Sequence, residues 1–306
     1  MEGLKLKYDL GRLKRYVYEG VGIKTYRIES KRLSEMGSDD LLSVTSDKVF
    51  KMMFQTEETK KYACYLISLI FDIDVEEFEK NFRLYNTEFK MDNVRESNER
   101  GDFVGEYRGR FFSIEMNNTN VLERNEEYVN RLAGSFIGRK GGKYKEVVQI
   151  NINNFTIRGI EETIKISELS DGKYKRAQKT FVDIYLPNMN RKYKEGGVGV
   201  LTKTEREILA MFISKKKEME ELGKEEKIIM DFKERLEWFR ENKELHQMYS
   251  HEQAERDAYR EEGREEGFDC GQREGLEKGR KLGIEEKQVS VALSMLDDGM
   301  PLEKIC

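Results

Sequence analysis

Histidine is nearly missing from this chain: His246 and His251 are the only two in 306 residues. Zinc sites of the Cys/His kind therefore lack ligands. A Ser-His-Asp or Cys-His centre would need one of these two, and both fall in a strongly polar helical stretch. Cysteine is scarce as well. Cys64, Cys270 and Cys306 are far apart with no paired spacing, which points to a reducing, cytoplasmic compartment and excludes a disulfide framework. No apolar run approaches the length of a membrane span. The N-terminal Leu4-Lys5-Leu6-Lys7-Tyr8-Asp9 is broken by charge and makes no signal-peptide core. Any catalysis is left to carboxylates, lysines and a metal.

What is abundant is charge. Charged residues make up 37% of the chain and hydrophobic ones 38%, with a net charge of −4. The apolar residues concentrate before about position 240, so a substantial core is expected there and a thin one afterwards. A net negative charge argues against a nucleic-acid partner only if it is evenly spread, and it is not. Basic residues gather near positions 108–145 and acidic ones crowd the C-terminal part, so the sum speaks to solubility more than to a local groove.

The organisation reads as four parts. Residues 1–42 are a basic, aromatic N-terminal arm. Residues 43–195 carry alternating helix and strand patterns and read as the main domain. A helix is expected from Ser46-Asp47 through Phe54 and another over 57–71. Three strands follow (82–91 and a hairpin), then a helix over 117–140 and strands at 147–155 and 180–186. This order predicts an α/β fold, a mixed β-sheet flanked by helices. Residues 200–250 read as two helices, roughly 203–222 and 225–248, so the C-terminal region is all-helical. In the charged tail, 251–306, Gly263, Gly267, Gly271, Gly275, Gly279 and Gly283 recur every four residues. Each glycine opposes helix by about 1 kcal/mol relative to alanine. The tail is then either a helix whose seam winds around to meet a close partner in a right-handed crossing, including a second copy of the chain, or a solvated connector. A short terminal helix is expected over 285–306.

The most informative stretch is Gly101-Asp102-Phe103-Val104-Gly105-Glu106-Tyr107-Arg108-Gly109-Arg110-Phe111-Phe112-Ser113-Ile114-Glu115-Met116-Asn117. It reads as two strands joined by a tight turn at Arg108-Gly109, with paired positions summing to 217. Asp102 then lies across from Glu115. Opposed residues on antiparallel strands have Cβ atoms roughly 4.5–5.5 Å apart, and like charges so placed repel. A divalent cation held by oxygen ligands would relieve that repulsion. Alternation puts Asp102, Val104, Ser113, Glu115 and Asn117 on one face, and Phe103, Phe112, Ile114 and Met116 on the apolar one. On this reading Asp102, Glu115 and the backbone carbonyl of Met116 hold the metal, and Asn117 orients a water. The alternative is a surface hairpin with ordinary charges near its ends.

These residues resemble the PD-(D/E)XK nuclease superfamily and, more narrowly, the Rpn-type recombination-promoting nucleases, a family also described as transposases. The matching segments are Ser46-Asp47-Lys48-Val49-Phe50-Lys51-Met52-Met53-Phe54, Gly101-Asp102, Ile114-Glu115-Met116-Asn117-Asn118, Arg124-x3-Tyr128, Gly142-Lys143-Tyr144 leading into Val148-Gln149-Ile150-Asn151-Ile152, and the glycine-spaced tail ending in Gly299-Met300-Pro301-Leu302-Glu303-Lys304-Ile305. Their order carries the likeness, not any single motif. The resemblance implies a restriction-endonuclease-like fold, DNA cleavage dependent on Mg2+ or Mn2+, and a link to recombination. It also suggests Asp47 as a further carboxylate, against its alternative role as a helix cap. Where the superfamily places Lys and this family more often Gln, the chain has Asn117. Asn cannot act as a general acid or base, so a catalytically weakened DNA-binding or assembly protein is the rival reading, and a three-carboxylate recombinase using Asp47, Asp102 and Glu115 is a third. Glu88 is a weaker candidate for the site. On the helix that follows, Arg124, Tyr128 and Arg131 share a face. Arg124 is assigned to phosphate contact, whereas Gln149 fits either the site or the core.

Overall fold

The computed structural model describes residues 26–85, 103–120, 122–134, 146–169, 179–298 and 300. Asp102, Glu88 and the basic residues Arg139, Lys140, Lys143 and Lys145 lie outside the described residues. The described chain divides into two units, the first ending at Tyr249 and the second beginning at Ser250.

The first unit is built on a six-stranded mixed sheet in the order β1-β2-β3-β4-β6-β5. The strands are β1 (Arg83–Tyr85), β2 (Phe103–Tyr107), β3 (Arg110–Asn117), β4 (Glu146–Asn153), β5 (Ile164–Leu169) and β6 (Lys179–Tyr185). β1, β2 and β3 form an antiparallel meander, β3, β4 and β6 run parallel, and β5 closes the far edge antiparallel to β6. The hairpin register is the expected one, from Phe103↔Ile114 to Tyr107↔Arg110. Its turn residues Arg108 and Gly109 both have positive φ, at 49° and 82°. That is the signature of a two-residue turn whose twist matches the strands it joins.

Side chains leave the sheet alternately. Phe103, Phe112, Ile114, Val148, Ile150, Ile152, Val182 and Ile184 all enter one large apolar core. That core also takes in α1 (Asp47–Phe54), α2 (Lys60–Phe71), α6 (Lys203–Phe212) and α8 (Lys227–Glu241). Phe78, from α3 (Val75–Asn81), packs with Phe82, Tyr107 and Phe112. The opposite face is covered by α4 (Leu122–Gly134), which brings Val129, Leu132 and Ala133 onto Val104, Phe111 and Val147. Both faces are therefore buried, as a sheet with parallel strands requires.

Several elements depart from the sequence reading. β5 is a sixth strand that alternation did not reveal, an edge strand with Ile166 half exposed. Helix α5 (Leu186–Gly196) starts directly after β6, with Pro187 in its first turn. The single helix expected over 203–222 is two, α6 and α7 (Lys216–Gly223). The break pairs with residues 39–41. Leu41 N–H donates to the Ser214 carbonyl at 3.0 Å and Lys216 N–H to the Asp39 carbonyl at 2.9 Å. The tail is helical as far as Asp297, as part of α9 (Lys243–Asp297), so the described part of the separate terminal helix expected from 285 is absorbed into it.

Two predictions follow from the packing. A Cβ on Gly105 would fall 2.0 Å from the Phe82 ring. Gly105→Ala should therefore cost about 1–3 kcal/mol, read as a lower urea midpoint at unchanged slope. Asp40 is buried; that alone would raise its carboxyl's pKa. Bonds from Lys215, the Gly37 N–H and Lys31 outweigh burial and lower it to about 2. A depressed carboxyl stabilises the fold above its unfolded value and loses that contribution as pH falls through the folded one. The stability gap between wild type and Asp40→Asn should thus be constant above about pH 5 and shrink steadily towards pH 2 in denaturant titrations.

Candidate functional site

The face of the sheet beneath α4 changes character along the strands. At its amino-terminal end it is apolar, and from the middle on it is polar and still buried. Ser113, Gln149 and Asn153 have no exposed surface, Asn117, Asn125 and Asn151 are 2% exposed, and Glu115 is 7% exposed. The parallel register lines these residues up in rows across three strands. Ser113 neighbours Gln149. Glu115 neighbours Asn151, which neighbours Asp183. Asn117 neighbours Asn153, which neighbours Tyr185.

Amides at such depth need partners, and here they use one another. Asn151 Nδ2 donates to Asp183 Oδ1 at 2.8 Å. Asn151 Oδ1 accepts from Asn125 Nδ2 at 2.9 Å and from Gln149 Nε2 at 3.2 Å. Asn125, reaching down from α4, donates again to Asn117 Oδ1 at 3.2 Å. Asn117 Nδ2 donates to Asn153 Oδ1 at 3.0 Å. Burial, then the nearby charges of Asp183 and Glu162, push the Tyr185 phenol up to about 12.

The strand ends are fastened by the next pair of asparagines. Asn154 N–H donates to the Asn117 carbonyl at 2.8 Å, and Asn154 Nδ2 donates to Asn118 Oδ1 at 3.2 Å. Asn154 also exchanges two 2.8 Å hydrogen bonds with the backbone of Ile28. Arg27 donates to the Asn118 carbonyl at 2.7 Å, and Asn118 donates to the Thr45 carbonyl at 2.7 Å. The last bond ties the entry to α1, two residues before Asp47, to the exit of β3. Asp47 is the first residue of α1, with Ser46 at the N-cap position, so it is not itself the cap. Its carboxylate pairs with Lys51 at 2.8 Å.

The predicted site residues thus divide. Glu115, Met116 and Asn117 lie together at the carboxyl end of β3, and α1 begins beside that end. Carbonyls alternate sides along a strand, and that of Asn117 points to β4, so that of Met116 points towards the β2 side. Asp102 lies outside the described residues. Arg124 is exposed on α4, whereas its neighbour Asn125 is buried against the sheet. Among the described residues no group of three or more His, Cys, Asp or Glu is placed to hold a metal ion, and no helix is long and apolar enough to cross a membrane.

Sequence reasoning missed Asn125, Asn151, Asn153 and Asp183. The signal was present in Gln149-Ile150-Asn151-Ile152-Asn153, where every inward-pointing polar residue is an uncharged amide able both to give and to accept. Gln149 itself belongs to this network. Comparison with protein families, with curated proteins and with solved structures found no match.

The network carries its own test. Asn125→Ala would leave Asn117 Oδ1 and Asn151 Oδ1 each short of a donor. The expected loss is about 1–3 kcal/mol for Asn117 Oδ1, which loses its donor, and less for Asn151 Oδ1, which keeps Gln149 Nε2, measured by equilibrium denaturation. Loss below about 0.5 kcal/mol would mean that water replaces the amide and that this face of the sheet is hydrated.

Proposed function

We propose that the chain is a metal-dependent DNA endonuclease of the restriction-endonuclease-like, PD-(D/E)XK type, working in the cytoplasm and linked to recombination. The observation that carries this reading is the β2–β3 register. The pairing that sums to 217, and that puts Asp102 opposite Glu115 by sequence, is the one present from Tyr107↔Arg110 to Phe103↔Ile114. Helix α1, the three-stranded meander, helix α4 and the parallel strand β4 follow in the order that the family likeness calls for. A nearly buried carboxylate at Glu115 beside the Met116 carbonyl is a hard-oxygen pair suited to Mg2+ or Mn2+, with Asp102 as the third donor. When bound, such an ion would lower the pKa of a water and offset charge on the phosphate.

The chain's own residues account for the rest. Glu115 is held on a strand paired on both sides. Asn117 keeps one N–H and one lone pair beyond those used by Asn153 and Asn125, enough to orient a water but not to take its proton. Asp47 stands at the start of α1 as an additional carboxylate. Arg124, exposed on α4, is the phosphate contact. Self-association is assigned to the C-terminal helix, where Phe268, Leu276, Leu282 and Leu293 are exposed. The engagement of Asn117 at both ends favours one rival, a catalytically weakened protein that keeps the fold and binds DNA without cutting it.

Supercoiled plasmid separates the two. Wild type with Mg2+ should nick it and EDTA should stop the reaction, while Asp102→Ala and Glu115→Ala should each lower the rate by at least about 100-fold and leave DNA binding in place. Binding without nicking in the wild type, unchanged in both variants, would establish the rival instead.

A further inference from the structure

The amide chain beneath α4 has a direction, and the direction has a source. Every member except one can turn its side chain over and trade donor for acceptor. The exception is Asp183, whose carboxylate offers acceptors alone. Asn151 must therefore turn Nδ2 towards it, at 2.8 Å. That leaves Asn151 Oδ1 to face the other way, where it takes Asn125 and Gln149 on its two lone pairs. Asn125 has then committed its NH2 group to this end of the network, and its second N–H goes to Asn117 Oδ1. Asn117 is left to give Nδ2 to Asn153. Each step fixes the next. A chain of fixed direction runs out at its ends, and there Gln149 Oε1 and Asn153 Nδ2 are buried with no hydrogen-bond partner among the described residues.

We propose that Asp183 is a positioning residue that, through Asn151 and Asn125, decides which end of the Asn117 carboxamide faces α4 and which faces β4. Asp183 is two strands from β3 and half-buried, with exposed Lys165 as its cross-strand neighbour on β5. Its effect on cutting rests on the nuclease reading. Its effect on the amide chain does not.

The test uses Asp183→Asn, which keeps the shape and removes the obligatory acceptor. In 15N-resolved NMR of the side-chain amides, the Asn117 and Asn151 NH2 signals should shift or split as both orientations become populated. In the plasmid assay kcat should fall by about tenfold to a hundredfold with KM and Tm little changed, a split that loss of structure would not give. A second variant, Asn125→Asp combined with Asp183→Asn, moves the obligatory acceptor to α4. It should yield one set of Asn117 signals again, at new positions, with activity no higher than in Asp183→Asn. Unchanged Asn117 signals in both folded variants would overturn the proposal. If wild type does not nick DNA, the nuclease reading falls, and the amide spectra still decide whether Asp183 orients Asn117.

Discussion

The register of one hairpin constrains everything else in the first unit. Arg108 and Gly109 take up positive φ, the turn closes in two residues, and from that point each side chain on β2 and β3 has its face assigned. Because the side-chain period is two, a slip of one residue would exchange Phe112, Ile114 and Met116 for Ser113, Glu115 and Asn117. The large core would then receive a carboxylate and an amide, and the layer under α4 would receive three apolar side chains. The parallel pairing with β4 carries the same assignment outward to Gln149, Asn151 and Asn153, and that with β6 to Asp183.

A sheet buried on both faces usually has two apolar faces. Here one of them is polar over half its length, and the cost of desolvating those amides is offset only because they are paired. Such a layer is poorly suited to adding stability, since an apolar layer of equal volume would serve as well. What it supplies is direction. Apolar contacts leave a carboxamide free to face either way. A hydrogen-bonded chain anchored on a carboxylate does not. The polar layer also sits at the carboxyl end of β3, where the Met116 carbonyl turns towards β2 and the entry to α1 is tied in by Asn118. Polar atoms are thus concentrated where the proposed chemistry would need them, and the apolar half of the same face anchors α4.

The sequence made the hairpin, its turn and the strands at 147–155 and 180–186 legible because each rests on local chemistry: a two-residue turn, strict alternation, and runs of Val and Ile. β5 was not legible, since Ile164-Lys165-Ile166-Ser167 alternates over only four residues between Glu161-Glu162 and Glu168, and Ile166 is half exposed, so no sustained apolar face marks the strand. The split between α6 and α7 was equally hidden. Nothing in Ile213-Ser214-Lys215 forbids helix; the break exists because those backbone groups are taken by residues 39–41. Of the site, Glu115, Met116 and Asn117 were legible as a strand end. Asn125 and Asp183 were not, because their relation to Asn117 passes through a helix crossing and two parallel pairings, neither of which leaves a mark on spacing along the chain.

In the C-terminal helix, local propensity and the observed element pull in opposite directions. Six glycines at about 1 kcal/mol each outweigh the pairs that support this helix. Glu274–Lys278 and Glu277–Lys281 have the favourable i, i+4 order, yet each contributes only about 0.2–0.5 kcal/mol. Propensity alone therefore predicts fraying between Gly263 and Gly283, while the chain is helical through all of it. Close packing within the described chain does not resolve the conflict, because a Cβ built on any of the six would meet nothing within 4 Å. If this helix self-associates, as proposed above, a four-residue glycine spacing would wind that contact around the axis at roughly 40° per step. The same residues that argue against the helix in isolation are the ones that would let a second helix approach it.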